Sequence, residues 1–333
     1  MDRTAFFVFF WFVLGTAASA QTDTFYIETN QHTFSLRLNY VHPWQQIQVM
    51  HPVDGSVASL VNNRDYTTIE PVVSNSVGIG GTWRNVAVNF IVPLEPRRDD
   101  PPSTFMDVRL NLSGRRYFLQ GYYGKFEGLY NYTLPPCDLC GYLPFEPESS
   151  FKRMGGQMFW VFNSNEYTLN ATRKYSERQK HSAGSPLVMA EVMRWNLNAN
   201  VFSADTAGLF PYFGSLASTG ASVFSGYAYT LVYRRFFLDP ILFVGTGLRH
   251  MAEEGEATTT RYWDIPVNAV FRLHGGYNGK RYYTGFHWIN RFDLLHAKAA
   301  KLNFADSYLM FFVGYKFSLK DSRSPWLTPE PFQ

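Results

Sequence analysis

The sequence predicts an all-β protein: a single antiparallel transmembrane β-barrel of about 12 strands, with 14 as the alternative, short periplasmic turns and long external loops. Three observations carry this reading. Apolar and polar residues alternate with a period of two in segment after segment. A secretion signal opens the chain, and no later stretch is long and apolar enough for a spanning helix. Aromatic residues make up 18% of the 333 residues, an excess of the kind that membrane barrels spend on interfacial girdles.

Residues 1–20 read as a cleaved signal peptide. Arg3 supplies a short basic start, Ala5 to Leu14 an apolar run, and Ala18-Ser19-Ala20 a small-residue cleavage site. The run is too short for a membrane anchor, which needs about 20 residues. The rest of the chain is expected to form one barrel domain over residues 21–319 and a short Pro-rich periplasmic tail over 320–333. The formal net charge of +3 is scattered along the chain, which gives nucleic-acid binding no support. The mean hydropathy is negative, in keeping with the lack of a spanning helix.

Strand side chains point alternately to opposite faces, so alternation marks a strand with one apolar and one polar surround. Met106, Val108, Leu110 and Leu112 alternate with Asp107, Arg109 and Asn111. Leu36, Leu38 and Tyr40 alternate with Ser35, Arg37 and Asn39. Val86, Val88, Phe90 and Val92 alternate with Ala87, Asn89 and Ile91, and Val267, Phe271 and Leu273 with Asn268, Arg272 and His274. Phe118, Tyr122, Phe126 and Tyr130 share a face opposite Lys125 and Glu127, and Phe286 and Trp288 face away from His287 and Arg291. No amphipathic helix is evident after residue 20.

Ser113-Gly114-Arg115, Asn163-Ser164-Asn165 and the Asn-Gly pair in Tyr277-Asn278-Gly279-Lys280 read as tight turns. Longer loops are expected near 52–66, 95–103, 132–150, 201–217, 251–263 and 293–302. Short turns then follow strands of one direction in the first half and of the other in the second. A barrel with both ends in the periplasm needs an even strand number, so the count is off by one, and the sequence locates the error between 177 and 217. The final strand carries Phe312, Gly314, Phe317 and Leu319, an apolar-x-Gly-x-x-aromatic-x-apolar spacing that resembles the terminal signal read by barrel-insertion machinery.

With the apolar faces towards lipid, the polar faces assign Arg37, Asp107, Arg109, Lys125, Glu127, Arg272, His274, His287, Arg291, Asp306 and Lys316 to the lumen. They either line a charge-selective pore or pair with one another to fill a small interior. Both signs are present, and the residue types leave these alternatives open. A polar segment containing Arg173, Gln179, Lys180, His181, Ser182, Gly184 and Ser185 brings a histidine and serines together. His181 and Ser182 are adjacent and would point to opposite faces of a strand, so a structural role is preferred to nucleophile–base chemistry. His250, Glu253, Glu254 and Glu256 form an acidic cluster, read as solvated loop charge rather than a metal site, with Tyr262-Trp263 following as an interfacial girdle pair. Cys137 and Cys140 form a lone C-x-x-C without further metal ligands, best read in an exported protein as a local disulfide. Nothing calls for a cofactor.

Several stretches together resemble an uncharacterised family of Bacteroidota envelope proteins, domain-of-unknown-function family 4421. They are Asp23-Thr24-Phe25-Tyr26-Ile27, Phe34 to Leu38, Ser113-Gly114-Arg115-Arg116-Tyr117, Phe162-Asn163 through Gln179 to Leu187, and Gly226-Tyr227-Ala228-Tyr229-Thr230. The resemblance implies an outer-membrane β-barrel with no assigned activity and no catalytic residues to carry over.

The expected function is that of an outer-membrane protein of a Gram-negative bacterium: a passive channel or transporter, or a structural envelope protein. Its partners would be membrane lipid, the insertion machinery and a small solute. Two alternatives stand beside it. One is a barrel-type lipid hydrolase using His181 and a nearby serine, and the other is a soluble secreted β-sandwich.

Overall fold

The computed structural model describes residues 24–29, 33–50, 66–70, 75–94, 103–131, 145–198, 215–254, 259–296 and 301–318. In chain order these form β1 (Ile27–Thr29), β2 (Thr33–Met50), β3 (Tyr66–Glu70), β4 (Ser76–Trp83), β5 (Val86–Pro93), β6 (Thr104–Ser113), β7 (Tyr117–Asn131) and β8 (Phe145–Val161). A five-residue helix α1 (Leu169–Arg173) follows, then β9 (Glu177–Gln179), β10 (Ala183–Asn198), β11 (Ser215–Tyr233), β12 (Phe236–Glu254), β13 (Thr259–Asp264), β14 (Val267–Asn278), β15 (Tyr282–His296) and β16 (Lys301–Ser318).

Twelve of these strands make a closed antiparallel barrel. The order runs β2-β4-β5-β6-β7-β8-β10-β11-β12-β14-β15-β16, and β16 pairs with β2 from Ser318↔Thr33 to Lys301↔Met50. β3 and β13 extend the sheet at one rim, and β1 pairs with β9 as a separate two-stranded sheet. Closure leaves no open edge among the twelve and rules out the two-sheet sandwich. The connections after β4, β6, β8, β11 and β14 all fall at the end where β2 begins and β16 finishes. Four of these are short turns, while the fifth, 162–182 after β8, is long; the remaining connections fall at the other end.

The sequence misplaced the counting error. Among the described residues, 177–217 hold β10 and the first residues of β11 and no further barrel strand. The turn it overlooked is Tyr233-Arg234-Arg235-Phe236, where Tyr233 pairs with Phe236. Trp83-Arg84-Asn85-Val86 closes in the same way. Both turns put an arginine at positive φ, 50° at Arg84 and 58° at Arg234. Arginine carries none of the Gly, Asn or Asp signal that marks such turns, so the hairpin was invisible. The Asn163-Ser164-Asn165 turn is also corrected: the whole of 162–182 connects β8 to β10, and it contains α1, the helix the sequence did not reveal. Five buried residues are too few to show a helical period.

The outer surface is an apolar belt. Leu38, Ile79, Val192, Val223, Leu242 and Val244 are among the exposed side chains, and Trp83, Tyr233, Phe236, Tyr282 and Phe317 collar the short-turn end. Inside, the apolar side chains gather in two clusters. One includes Phe105, Phe126, Phe151, Trp195, Leu216 and Phe304 towards the long-loop end and extends to Tyr175, Tyr283 and Phe312 towards the short-turn end. The other lies towards the short-turn end and includes Phe118, Phe159, Leu169, Phe224 and Phe243. Charged and amide side chains lie between these clusters.

Large inward residues are accommodated by inward glycines directly across the ladder. Arg37 pairs with Gly80, Arg153 with Gly124 and Arg249 with Gly220. A Cβ at Gly220 would meet the Leu248 carbonyl oxygen at 2.4 Å and Arg249 Cγ at 2.6 Å, whereas one at Gly121 would meet nothing within 4 Å. Gly220→Val is expected to lower unfolding free energy in lipid or detergent by about 1–3 kcal/mol through overpacking, with Gly121→Ala close to neutral. Urea titration of the refolded barrel measures both, and equal midpoints for the two would contradict the size pairing.

Candidate functional site

The inward polar residues form chains of ion pairs across the lumen. On one side Asp107 accepts from Arg109 Nε at 2.7 Å and Nη2 at 3.0 Å, and Arg153 bridges Asp107, at 3.6 Å, to Asp306. Arg153 stands on β8 and Asp306 on β16, six strands away round the barrel in either direction. On the other side Glu191 accepts from Arg291 Nη1 at 2.7 Å and from Gln157 Nε2 at 2.7 Å. Arg291 Nε donates to Asp293 at 3.0 Å, and Asp293 also takes Arg249 at 3.0 Å. Arg272 Nη2 donates to Gln157 Oε1 at 2.8 Å. Glu191 on β10 and Arg291 on β15 are four strands apart, as are Arg272 on β14 and Gln157 on β8. Charges removed from water need partners at contact distance, and here they come both from two residues along the same strand and from facing walls.

Little space remains between these groups. A cavity of about 50 Å³ lies beside Arg109, Arg153, Arg272 and Arg291, a second of about 30 Å³ beside Arg37, Arg173 and His274, and a third of about 10 Å³ beside Asp107 and Phe105. Rings cross the lumen above the charges: Phe151 and Phe304, from opposite walls, have centroids 5.2 Å apart.

The short-turn end is filled by the 162–182 connection, which turns into the lumen. Thr168 caps α1 by accepting from Asn170 N at 3.1 Å, satisfying one orphan donor of the first turn. Tyr167, Thr172 and Thr230 hydroxyls all donate to the buried Asp239 carboxylate, Thr172 at 2.8 Å and Thr230 at 2.9 Å. His287 Nε2 meets the Thr172 carbonyl at 3.0 Å. Asn278 Nδ2 donates to the carbonyls of Ala171 and Glu177, while Lys316 Nζ donates to Asn278 Oδ1 at 2.6 Å. Asn278, which the sequence assigned to a turn apex, thus ends β14 and latches the inserted segment, with the turn falling after it. Lys174 donates to Ser113 Oγ, and burial pushes its ammonium down to about 8. Tyr175, at φ 62°, stacks on Tyr283 at 4.6 Å. The Arg173 guanidinium sits 4.5 Å from the ring centres of both Phe118 and Phe159. β1 then covers β9 from outside, with an ion pair of 3.1 Å between Arg178 and Glu28.

Of the residues assigned to the lumen, Arg37, Asp107, Arg109, Arg272, His274, His287, Arg291, Asp306 and Lys316 point inward. Lys125 and Glu127 do not. They pair with each other on the outer face, and Phe118, Tyr122 and Phe126 fill the inside of β7. Alternation cannot say which face is lipid when the lumen itself is apolar at that level. The sequence missed Arg153, Gln157, Glu191, Arg249, Asp239 and Asp293. The first four alternate with outward residues in β8, β10 and β12 in the same way, so the signal was present.

In the polar segment, Gln179 donates to the His181 carbonyl at 3.1 Å. The Lys180 ammonium donates to the Thr24 carbonyl at 2.8 Å. The exposed His181 ring stacks on Phe25 at 4.1 Å. The Ser182 hydroxyl accepts from Val232 N at 2.9 Å, and Ser185 Oγ accepts from Asn163 N and donates to the Pro186 carbonyl. Gly184 lies on β10 opposite Tyr229. His250, Glu253 and Glu254 lie on β12 rather than in a loop; His250 meets Trp263 edge-on, and Glu254 accepts from Ser215 Oγ at 2.6 Å. No group of three metal-ligating side chains occurs among the described residues. Trp263 is exposed as a girdle residue would be, but Tyr262 turns inward onto the apolar cluster. Phe312 and Gly314 face inward and Phe317 outward. Leu319, Cys137, Cys140, Glu256 and the signal and tail segments lie outside the described residues.

Fold and interior together define a closed twelve-stranded β-barrel with a filled, charge-paired lumen. The chain belongs to the family described as Domain of unknown function (DUF4421), whose model matches residues 21–317. No curated protein matches the chain. Among solved structures it is similar to the outer membrane protease OmpT from Escherichia coli, with 5% identity, a TM-score of 0.37, and coverage of 87% of this chain and 98% of that one. It is also similar to the β domain of the Bordetella autotransporter BrkA, with 12% identity, a TM-score of 0.37, and coverage of 86% and 100%. For the translocator domain of the autotransporter NalP from Neisseria meningitidis the values are 12%, 0.33, 95% and 98%.

Asp293 is the acceptor shared by Arg249 and Arg291. Asp293→Ala is expected to cost about 3–5 kcal/mol, because it leaves the buried Arg249 without its carboxylate and Arg291 with Glu191 alone. A denaturant midpoint unchanged from wild type would show that the network contributes nothing to stability.

Proposed function

We propose that this chain is an outer-membrane β-barrel of a Gram-negative bacterium that acts as a non-conducting structural envelope protein, exported by its signal peptide. The observation that carries the reading is the lumen. Ion pairs and ring contacts join opposite walls, the 162–182 segment fills the short-turn end, and the cavity beside Arg109, Arg153, Arg272 and Arg291 is only about 50 Å³. A passive channel needs a continuous water path, and paired charges of both signs serve packing better than ion selection. The apolar belt, the aromatic collar at the short-turn end, the even strand number and the pairing of the start of β2 with the end of β16 at one rim support insertion in a bilayer.

A hydrolase role is disfavoured, because His181 is engaged with Phe25 and Ser182 with the β11 backbone, which gives no nucleophile–base pair. Membrane lipid is the principal partner. The insertion machinery would read the last strand through Phe312, Gly314, Phe317 and Leu319.

Purified protein in planar bilayers is expected to give no unitary current steps. Stable conductance in wild type would overturn the structural role and restore the channel. The membrane placement has its own test. Val244→Arg, in the middle of the outward face of β12, is expected to destabilise the barrel in lipid by about 2–4 kcal/mol. A neutral effect, or recovery of wild type in the soluble fraction without detergent, would remove the barrel from the bilayer.

A further inference from the structure

The cavity of about 30 Å³ between the inserted segment and the barrel wall is lined by Arg37, Arg109, Arg173, His274 and His287, and by no carboxylate among the described residues. A cavity accepts a water once it offers roughly 10–15 Å³, so this one has room for a single small ion. Guanidinium does not lose its proton in proteins, and a buried cation without a counter-charge is costly.

The nearby acids balance only part of this charge. Asp107 is shared by Arg109 and Arg153, and the Asp239 carboxylate, which takes three hydroxyl donors, is the acid within electrostatic reach of Arg173. Arg37 gives Nε and Nη2 to the Asn89 amide oxygen, which is neutral. Arg173 is buried against the faces of Phe118 and Phe159, and its Nη1 has no hydrogen-bond partner. Both ring nitrogens of the buried His274 also lack one. Ring faces offset part of the guanidinium charge, but they leave the Nη1 donor unmet. A trapped water would satisfy donors without balancing charge.

We propose that this cavity binds a small inorganic anion of the halide class, held by Arg173 Nη1 and the His274 imidazole, with Arg37 supplying further positive potential. The anion would enter as the 162–182 segment docks, since both the segment and the wall contribute to the site.

The test is to refold the full chain into detergent in bromide, crystallise it, and collect data at the bromine absorption edge. An anomalous peak is expected in this cavity, within hydrogen-bonding distance of Arg173 and His274. The unfolding temperature is expected to be higher in chloride or bromide than in methanesulfonate at equal ionic strength, because a ligand of the native state stabilises it. Arg173→Met is expected to lose both the peak and the halide dependence while keeping the heat-modifiable gel mobility of a folded barrel. Density without anomalous signal would identify a water and overturn the proposal, and so would a bromide peak that survives in Arg173→Met. If that variant does not refold, the wild-type peak decides alone. None of these readouts depends on conductance, so the closed-barrel reading stands or falls separately.

Discussion

The ion pairs that cross the lumen are the constraint around which this molecule is organised. A twelve-stranded barrel encloses more space than one layer of side chains fills from each wall. Here the gap is bridged by long guanidinium side chains reaching carboxylates on distant strands, as Arg153 does with Asp306 and Arg291 with Glu191. An arginine in that position cannot neutralise itself by losing a proton, so its partner is obligatory. Removing either member leaves a charge in a poorly solvated interior, which is costlier than never having placed the pair.

Much of the interior follows from accommodating those arginines. Inward glycines on neighbouring strands leave room for their stems, at Gly80 beside Arg37, Gly124 beside Arg153 and Gly220 beside Arg249. Apolar clusters flank the charged groups and limit their contact with water, which strengthens each pair in the lower local dielectric. Closing the short-turn end requires backbone as well as side chains. The 162–182 connection supplies it, and its exposed carbonyls are met by Asn278 and His287 from the wall. One of the stretches that carries the family resemblance, Phe162-Asn163 through Gln179 to Leu187, thus contains the segment that enters the barrel.

Legibility in the sequence followed the physics of each element. Strands with one lipid face and one polar face, such as Met106 to Leu112 and Val267 to His274, declared themselves because the two surrounds demand opposite chemistry. β7 did not: its inward face is aromatic and its outward face carries Lys125 and Glu127, so alternation gave the strand and inverted its sides. The Arg234-Arg235 hairpin was silent because arginine has no preference for the conformation it adopts there. The inserted segment was visible as polar and unusual, but its helix is too short for periodicity and its burial is a property of the barrel around it.

What the sequence determined by itself was therefore the class of fold, the approximate strand number and the existence of a charged inner face, because each is written in local alternation and composition. What only the tertiary structure decided was the fate of that inner face. Asp107 and Arg109 could have lined a passage or locked the lumen, and residues spaced two apart on a strand say nothing about what faces them. The choice depends on which strands lie opposite after closure, and on a connection folding back between them. Those are relations between residues more than a hundred positions apart, as between Arg153 and Asp306, and no local pattern records them.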